Sequence, residues 1–178
     1  VIIGNPPYSV GQKSGNDDNQ NVSYPNLDKA IAETYAAKTD AALRRSIYDS
    51  YVKAFRWAAD RIGENGIVGF VTNGKYVDAP ALSGLRKCLT EEFNYVYCFN
   101  LRGEARGNGE LRRKEAGNVF GGGSRTSVAI AILVKKKGAK KDGFIRYCDI
   151  GDYLSRQQKL DKIREYGSIE HIGWKIIT

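Results

Sequence analysis

The chain opens with Val1-Ile2-Ile3-Gly4-Asn5-Pro6-Pro7-Tyr8. Three successive β-branched apolar residues predict the end of a buried strand. The chain must turn at its carboxyl end, because Pro6 and Pro7 lack the N–H groups that a ladder needs. Open α/β sheets bind ligands at that position. Proline also pushes the residue before it out of the α region, so Asn5 and Pro6 are expected to be extended. Each then offers an acceptor to a pocket, Asn5 through its amide oxygen and Pro6 through its main-chain carbonyl, with few competing donors nearby. A planar NH2 group carries two hydrogens, and two acceptors match them. Tyr8 adds an aromatic face, and stacking a base on such a ring is worth roughly 1–3 kcal/mol.

The residues that follow build a sheet around this strand. Residues 9–26 are mainly Gly, Ser, Asn, Asp and Gln, a long polar loop that reads either as a flap over the pocket or as a disordered segment. Residues 27–39 are helical in composition. Leu43, Ile47, Tyr51, Ala54, Phe55, Ala58 and Ile62 then recur at helical spacing, which predicts one long amphipathic helix ending at Gly63. Residues 66–72 read as a buried strand, left through the loop Asn73-Gly74-Lys75-Tyr76. Residues 81–93 form the next helix, with Leu82, Leu85, Leu89 and Phe93 on one side, and residues 95–101 the third strand. A loop over 102–125, rich in Arg, Lys, Glu and Gly, precedes the most apolar strand, residues 128–134. Residues 144–147 are expected to pair beside that strand as an edge, followed by a charged helix over 154–166. Strands alternating with helices predict an α/β doubly wound sheet, and with no internal repeat the chain reads as one domain over 1–178.

The formal charge of +8, with a pI near 9.4, favours an anionic partner, nucleic acid first. Arg102, Arg106, Arg112, Arg113, Lys114 and Arg125 are the candidate phosphate contacts; Glu104, Glu110 and Glu115 interleave with them, as they would in a solvated loop. Cys88, Cys98 and Cys148 form no C-x-x-C pair and read as reduced, packed thiols, not as a disulfide framework or a zinc site. His171 is solitary and reads as structural, so no metal is expected. No apolar run is long enough to span a bilayer, and a cytoplasmic location is expected. The chain lacks methionine and begins inside a predicted strand, which reads as a piece of a longer polypeptide.

Val1-Ile2-Ile3-Gly4-Asn5-Pro6-Pro7-Tyr8 resembles motif IV of the S-adenosylmethionine-dependent amino-methyltransferases, above all the DNA adenine-N6 enzymes. The resemblance implies that Asn5 and the Pro6 carbonyl hold the target amine and that Tyr8 stacks on a flipped adenine, with Pro7 lining the substrate site. It assigns Phe120, in Asn118-Val119-Phe120-Gly121-Gly122-Gly123, to the loose motif VIII, whose Phe packs edge-on against the flipped base. It also implies a class I methyltransferase fold, of which this chain would hold strands four to seven, the last antiparallel, with 151–178 as a helical extension. The family's cofactor motif, an acidic residue with a glycine-rich turn after the first strand, has no counterpart here. Gly121-Gly122-Gly123 leads into a strand, not from a strand into a helix, and reads as flexible backbone beside substrate, or as a phosphate nest. The S-adenosylmethionine site is therefore expected to be incomplete, with weak or no cofactor binding by this piece.

Stretches 5–12, 46–61, 69–75, 99–106 and 110–126 further resemble the methyltransferase part of large single-chain restriction-modification proteins. The implied partners are double-stranded DNA and the remaining domains of a longer polypeptide: a cofactor half, a target-recognition domain, a nuclease and a helicase. Three alternatives stay open. Protein glutamine-N5 methyltransferases use the same acceptors on a different NH2, cytosine N4 is a close chemical variant, and the chain could be a non-catalytic DNA-binding module.

Overall fold

A computed structural model describes residues 1–7, 23–41, 45–104, 109–115, 117–121 and 126–177. Six strands form one mixed sheet in the order β1-β2-β4-β3-β5-β6: β1 Ile2–Gly4, β2 Gly66–Asn73, β3 Tyr95–Arg102, β4 Val128–Lys135, β5 Ile145–Asp149 and β6 Lys175–Ile177. β1 runs parallel to β2, and β3 parallel to β5, whereas β4 is antiparallel to both β2 and β3. Strands β1, β2, β3 and β5 thus share one direction and deliver their carboxyl ends to one edge, with β4 and β6 reversed.

Side-chain alternation divides the sheet into two unlike faces. Val68 and Phe70 of β2, Ala129, Ala131 and Leu133 of β4, Val96 and Cys98 of β3, and Ile145 of β5 are buried together on one face. Over it lie α1 (Pro25–Ile31, continuing as a π-helical turn Ala32–Ala36), α2 (Ser50–Arg61) and α3 (Ser83–Glu92). Phe55 of α2 is the central knob, its ring 5.5 Å from that of Phe70 and 5.3 Å from that of Tyr76. Arg56, on the same helix, donates to both carboxylate oxygens of Glu92 at 2.7 and 2.8 Å and to Asp60 at 2.9 Å, fastening α2 to α3. On the opposite face Phe99, Val128 and Cys148 of β3, β4 and β5 pack against Leu154, Ile163, Tyr166 and Trp174 of the C-terminal segment, with Val71 of β2 at the margin.

Several sequence expectations are corrected. The first strand is half-exposed, not buried: Val1 and Ile3 are 86% and 82% accessible, because the strand lies at the sheet margin and no described element covers its second face. The single long helix is two pieces, a 3-10 turn Arg45–Tyr48 and then α2, because Asp49 adopts an extended backbone (ψ 148°) between them. The strand expected beside 128–134 pairs instead with β3, and β6 adds a further strand outside it, so the C-terminal extension is not wholly helical. The basic segment after β3 contains a short helix, α4, Gly109–Lys114. All three cysteines are free and buried; burial pushes the Cys88 thiol up to about 11 and the Cys98 thiol up to about 12, so both stay protonated and unreactive at neutral pH. No helix among the described residues is long and apolar enough to cross a membrane.

Candidate functional site at the carboxyl edge of the sheet

Four loops leave the edge where the co-directional strands end. β1 ends at Gly4, registered against Phe70, and leads directly into Asn5-Pro6-Pro7; Asn5 and Pro7 are exposed and Pro6 is half-buried. Gly4 lies over the Phe70 ring, which a Cβ there would touch at 3.4 Å. β2 ends at Asn73, whose side-chain oxygen accepts the Lys75 N–H at 2.9 Å and starts a 3-10 turn, Gly74–Tyr76. The Gly74 N–H donates to the Ser127 carbonyl at 3.0 Å, tying this turn to the start of β4.

β3 ends in a bulge between Asn100 and Arg102. The Asn100 side-chain oxygen accepts the Arg102 N–H at 2.9 Å, and Arg102 takes the left-handed conformation (φ 58°). Beyond it, the Glu104 carboxylate lies 3.0 Å from the Lys75 ammonium, joining the loops after β2 and β3. Asn118 closes the 103–126 excursion by donating to the Gly103 carbonyl at 3.2 Å and the Thr126 carbonyl at 3.0 Å, while its oxygen accepts the Phe120 N–H at 3.0 Å. The Phe120 ring is 47% accessible and joins neither apolar cluster.

The residues that carry this turn come from far along the chain. Helix α5 (Arg156–Tyr166) begins with a capping box, Ser155 and Gln158. From its first turns Arg156 Nε donates to the Val119 carbonyl at 2.9 Å and Lys159 Nζ to the Glu115 carbonyl at 3.3 Å. Gly117 (φ 75°) passes so close that a Cβ there would sit 2.5 Å from the Arg156 nitrogen. Lys159 is fully buried, and burial pushes its amine down to about 8 despite the opposing pull of Glu115. The folded-state value thus lies below the unfolded value of roughly 10.4, so the native state releases its proton first and stability rises as pH climbs from about 8 to about 10.4. Lys159→Met is therefore expected to raise the melting temperature at pH 7, where the buried charge is fully present, and to raise it less at pH 10. Calorimetry at the two pH values checks this, and an equal shift at both would remove the buried charge as the cause.

Among the sequence-selected residues, Asn5, Pro6, Pro7 and Phe120 lie on loops at this edge, whereas Tyr8, Arg106 and Arg125 and most of the expected flap lie outside the described residues. Arg102 is taken up by two carboxylates: Nε donates to Asp149 at 2.7 and 2.9 Å and Nη1 to Asp152, and its side chain is only 20% accessible. It braces the edge instead of reaching into solvent. Arg112 and Arg113 are exposed on α4, and Arg113 stands 3.6 Å from Glu110, a solvated pair. Lys114 is half-buried. Asn73, Asn118, Arg156 and Lys159 were missed. Asn-x-Phe and Asn-x-Lys are legible as side-chain-capped turns, and Ser-x-x-Gln as a capping box; no local signal marks Lys159 as buried.

The architecture is that of a mixed α/β domain, and the loops after β1, β2, β3 and β5 leave the edge where open α/β sheets bind ligands. No protein-family model and no curated protein sequence matches the chain. Solved structures do. The chain is 50% identical to the type ISP restriction-modification enzyme LlaGI, in a structure of a nuclease-deletion mutant with a DNA substrate mimic. The match has a TM-score of 0.92 and covers 99% of this chain and 17% of that one. It is 36% identical to DrdV in a DNA complex (TM-score 0.89; 99% of this chain, 17% of that one). It is 37% identical to the ATP-dependent type ISP restriction-modification enzyme LlaBIII bound to DNA (TM-score 0.87; 96% of this chain, 11% of that one). The chain thus spans about a sixth of the length of LlaGI and DrdV, and less of LlaBIII.

Proposed function

We propose that this chain forms the substrate-holding side of an S-adenosylmethionine-dependent DNA adenine-N6 methyltransferase within a restriction-modification protein. The observation that carries the reading is Asn5-Pro6-Pro7 on the carboxyl end of a parallel strand, with the Phe120 turn anchored on the same edge of the sheet. The reversed fourth strand, β4, agrees with the antiparallel last strand that the resemblance implies. The likeness to three DNA-bound enzymes, at 36–50% identity across nearly the whole chain, supports DNA over a protein amide as substrate.

The described residues do not themselves fit a cofactor. Among them no glycine-rich turn leads from a strand into a helix, and none of them pairs with the outer edge of β1 or covers its second face, where such a half would add. We assign the cofactor to another part of a longer polypeptide packed against β1; when bound, it supplies an electrophilic methyl group. The role of this chain is positional. The Asn5 and Pro6 oxygens accept the two N–H groups of an extruded adenine amine, holding its nitrogen lone pair toward the cofactor side. Tyr8 stacks on the base and Phe120 packs edge-on against it, and the Tyr8 π-face favours the positive charge that develops on the base. No strong base is needed, because the methylated amine is acidic and loses its proton late.

Incubating the full-length protein with radiolabelled S-adenosylmethionine and either duplex DNA or a protein extract tests the reading. Label entering adenine N6 is expected; label in glutamine side chains, or in no substrate while DNA is still bound, would overturn it.

A further inference from the structure

Tyr153 occupies a position where glycine would be easiest. Its backbone is in the left-handed region (φ 60°), two residues after Gly151 (φ 113°), and its ring is 56% accessible, so it contributes little to the core. It is nonetheless firmly mounted. Its N–H donates to the Lys114 carbonyl at 3.0 Å and its hydroxyl to Glu110, so the ring is held along α4. α4 presents exposed Arg112 and Arg113, and an apolar side chain, Leu111, that is 60% accessible. The mount itself is braced from below by Arg102 through Asp149 and Asp152. An aromatic ring held out at the cost of backbone strain, anchored to a short helix that carries exposed Arg112 and Arg113, on a chain of net charge +8, complements a polyanion with apolar sugar and base edges.

We infer that Tyr153 and α4 form a duplex-DNA contact in which the Tyr153 ring packs against deoxyribose in the groove wall while Arg112 and Arg113 reach the flanking phosphates. This rests on the DNA reading above and extends it to a surface outside the Asn5 loop. The contact adds affinity and register, and plays no part in holding the target amine.

The test is binding of a fluorescein-labelled duplex to the full-length protein by anisotropy across a salt series, with thermal melting alongside. Tyr153→Gly relieves the backbone strain while removing the ring. It is expected to melt no lower than the wild type and to bind about five- to tenfold more weakly, the scale for losing one well-packed ring. Its salt slope should be unchanged, since the ring neutralises no phosphate, whereas Arg112→Ala should flatten the slope by about 0.9. Tyr153→Phe keeps the ring and should bind within about twofold of wild type. Wild-type affinity in Tyr153→Gly, or a loss of affinity matched by a fall in melting temperature, overturns this inference and leaves the Asn5 reading standing. A wild-type protein that binds no duplex overturns both.

Discussion

Asn5→Ala in the full-length protein is expected to lower the rate of DNA methylation by about 10²- to 10³-fold, the effect of removing one oriented hydrogen-bonding group from a site whose catalysis is positional. Asn5 is exposed on the loop that leaves a marginal strand, so its truncation should leave the melting temperature near that of the wild type. Cofactor affinity, measured by calorimetry, should also change little, since the cofactor is assigned elsewhere. Asn5→Asp keeps an acceptor oxygen at the same place and should retain more activity than the alanine variant. Unchanged methylation in Asn5→Ala would remove this residue from the mechanism, and with it the reason for reading the Pro6 carbonyl as its partner.

Gly84→Ala has the largest expected effect on stability. Gly84 lies in the first turn of α3, where it packs against the π-helical turn after α1. A Cβ built there falls 1.9 Å from the Tyr35 carbonyl oxygen, 2.5 Å from Thr39 Oγ1 and 2.8 Å from the Thr39 nitrogen. Two of these are main-chain atoms that cannot rotate aside. The Gly84 N–H also donates to Thr39 Oγ1 at 3.2 Å, so separating the helices would break that bond. Alanine ordinarily gains about 1 kcal/mol over glycine inside a helix. Overpacking of this kind costs about 1–3 kcal/mol and more when backbone must shift, so the clash wins. A net loss of about 2 kcal/mol or more is expected in chemical denaturation of the full-length protein, and a stability equal to or above wild type would show that the helices can part cheaply.

Much of the architecture was legible because local pattern and tertiary environment agree. The run Val-Ala-Ile-Ala-Ile-Leu-Val is flanked by turns and lies between two strands; Ala129, Ala131 and Leu133 are buried on one face and Ile130 and Ile132 half-buried on the other, which its continuous apolarity suits. Leu82, Leu85, Leu89 and Phe93 point to one side of α3 and all are buried, as their spacing predicts. The pattern failed where two signals compete. Leu43, Ile47 and Tyr51 keep helical spacing across Asp49, whose extended backbone no periodicity reveals. Val1, Ile2 and Ile3 read as buried because apolarity records what a face is suited to meet, not whether anything described here meets it.

The chain by itself determined which acceptors the proposal sets against an amine. Asn-Pro-Pro after an apolar strand fixes backbone shape and acceptor chemistry within a few covalent bonds, and those constraints do not depend on distant contacts. Only the tertiary structure decided which cations are free to meet a phosphate and what carries the Phe120 turn. Arg102 and Arg112 are the same residue type in the same basic segment, yet one is held by Asp149 and Asp152 and the other projects from α4. The mount of 115–119 comes from Arg156 and Lys159, some forty residues later. The reason is physical: a charge takes its role from whichever opposite charge or carbonyl the folded chain brings within hydrogen-bonding distance, and that proximity is set by strand order, which composition and spacing do not encode.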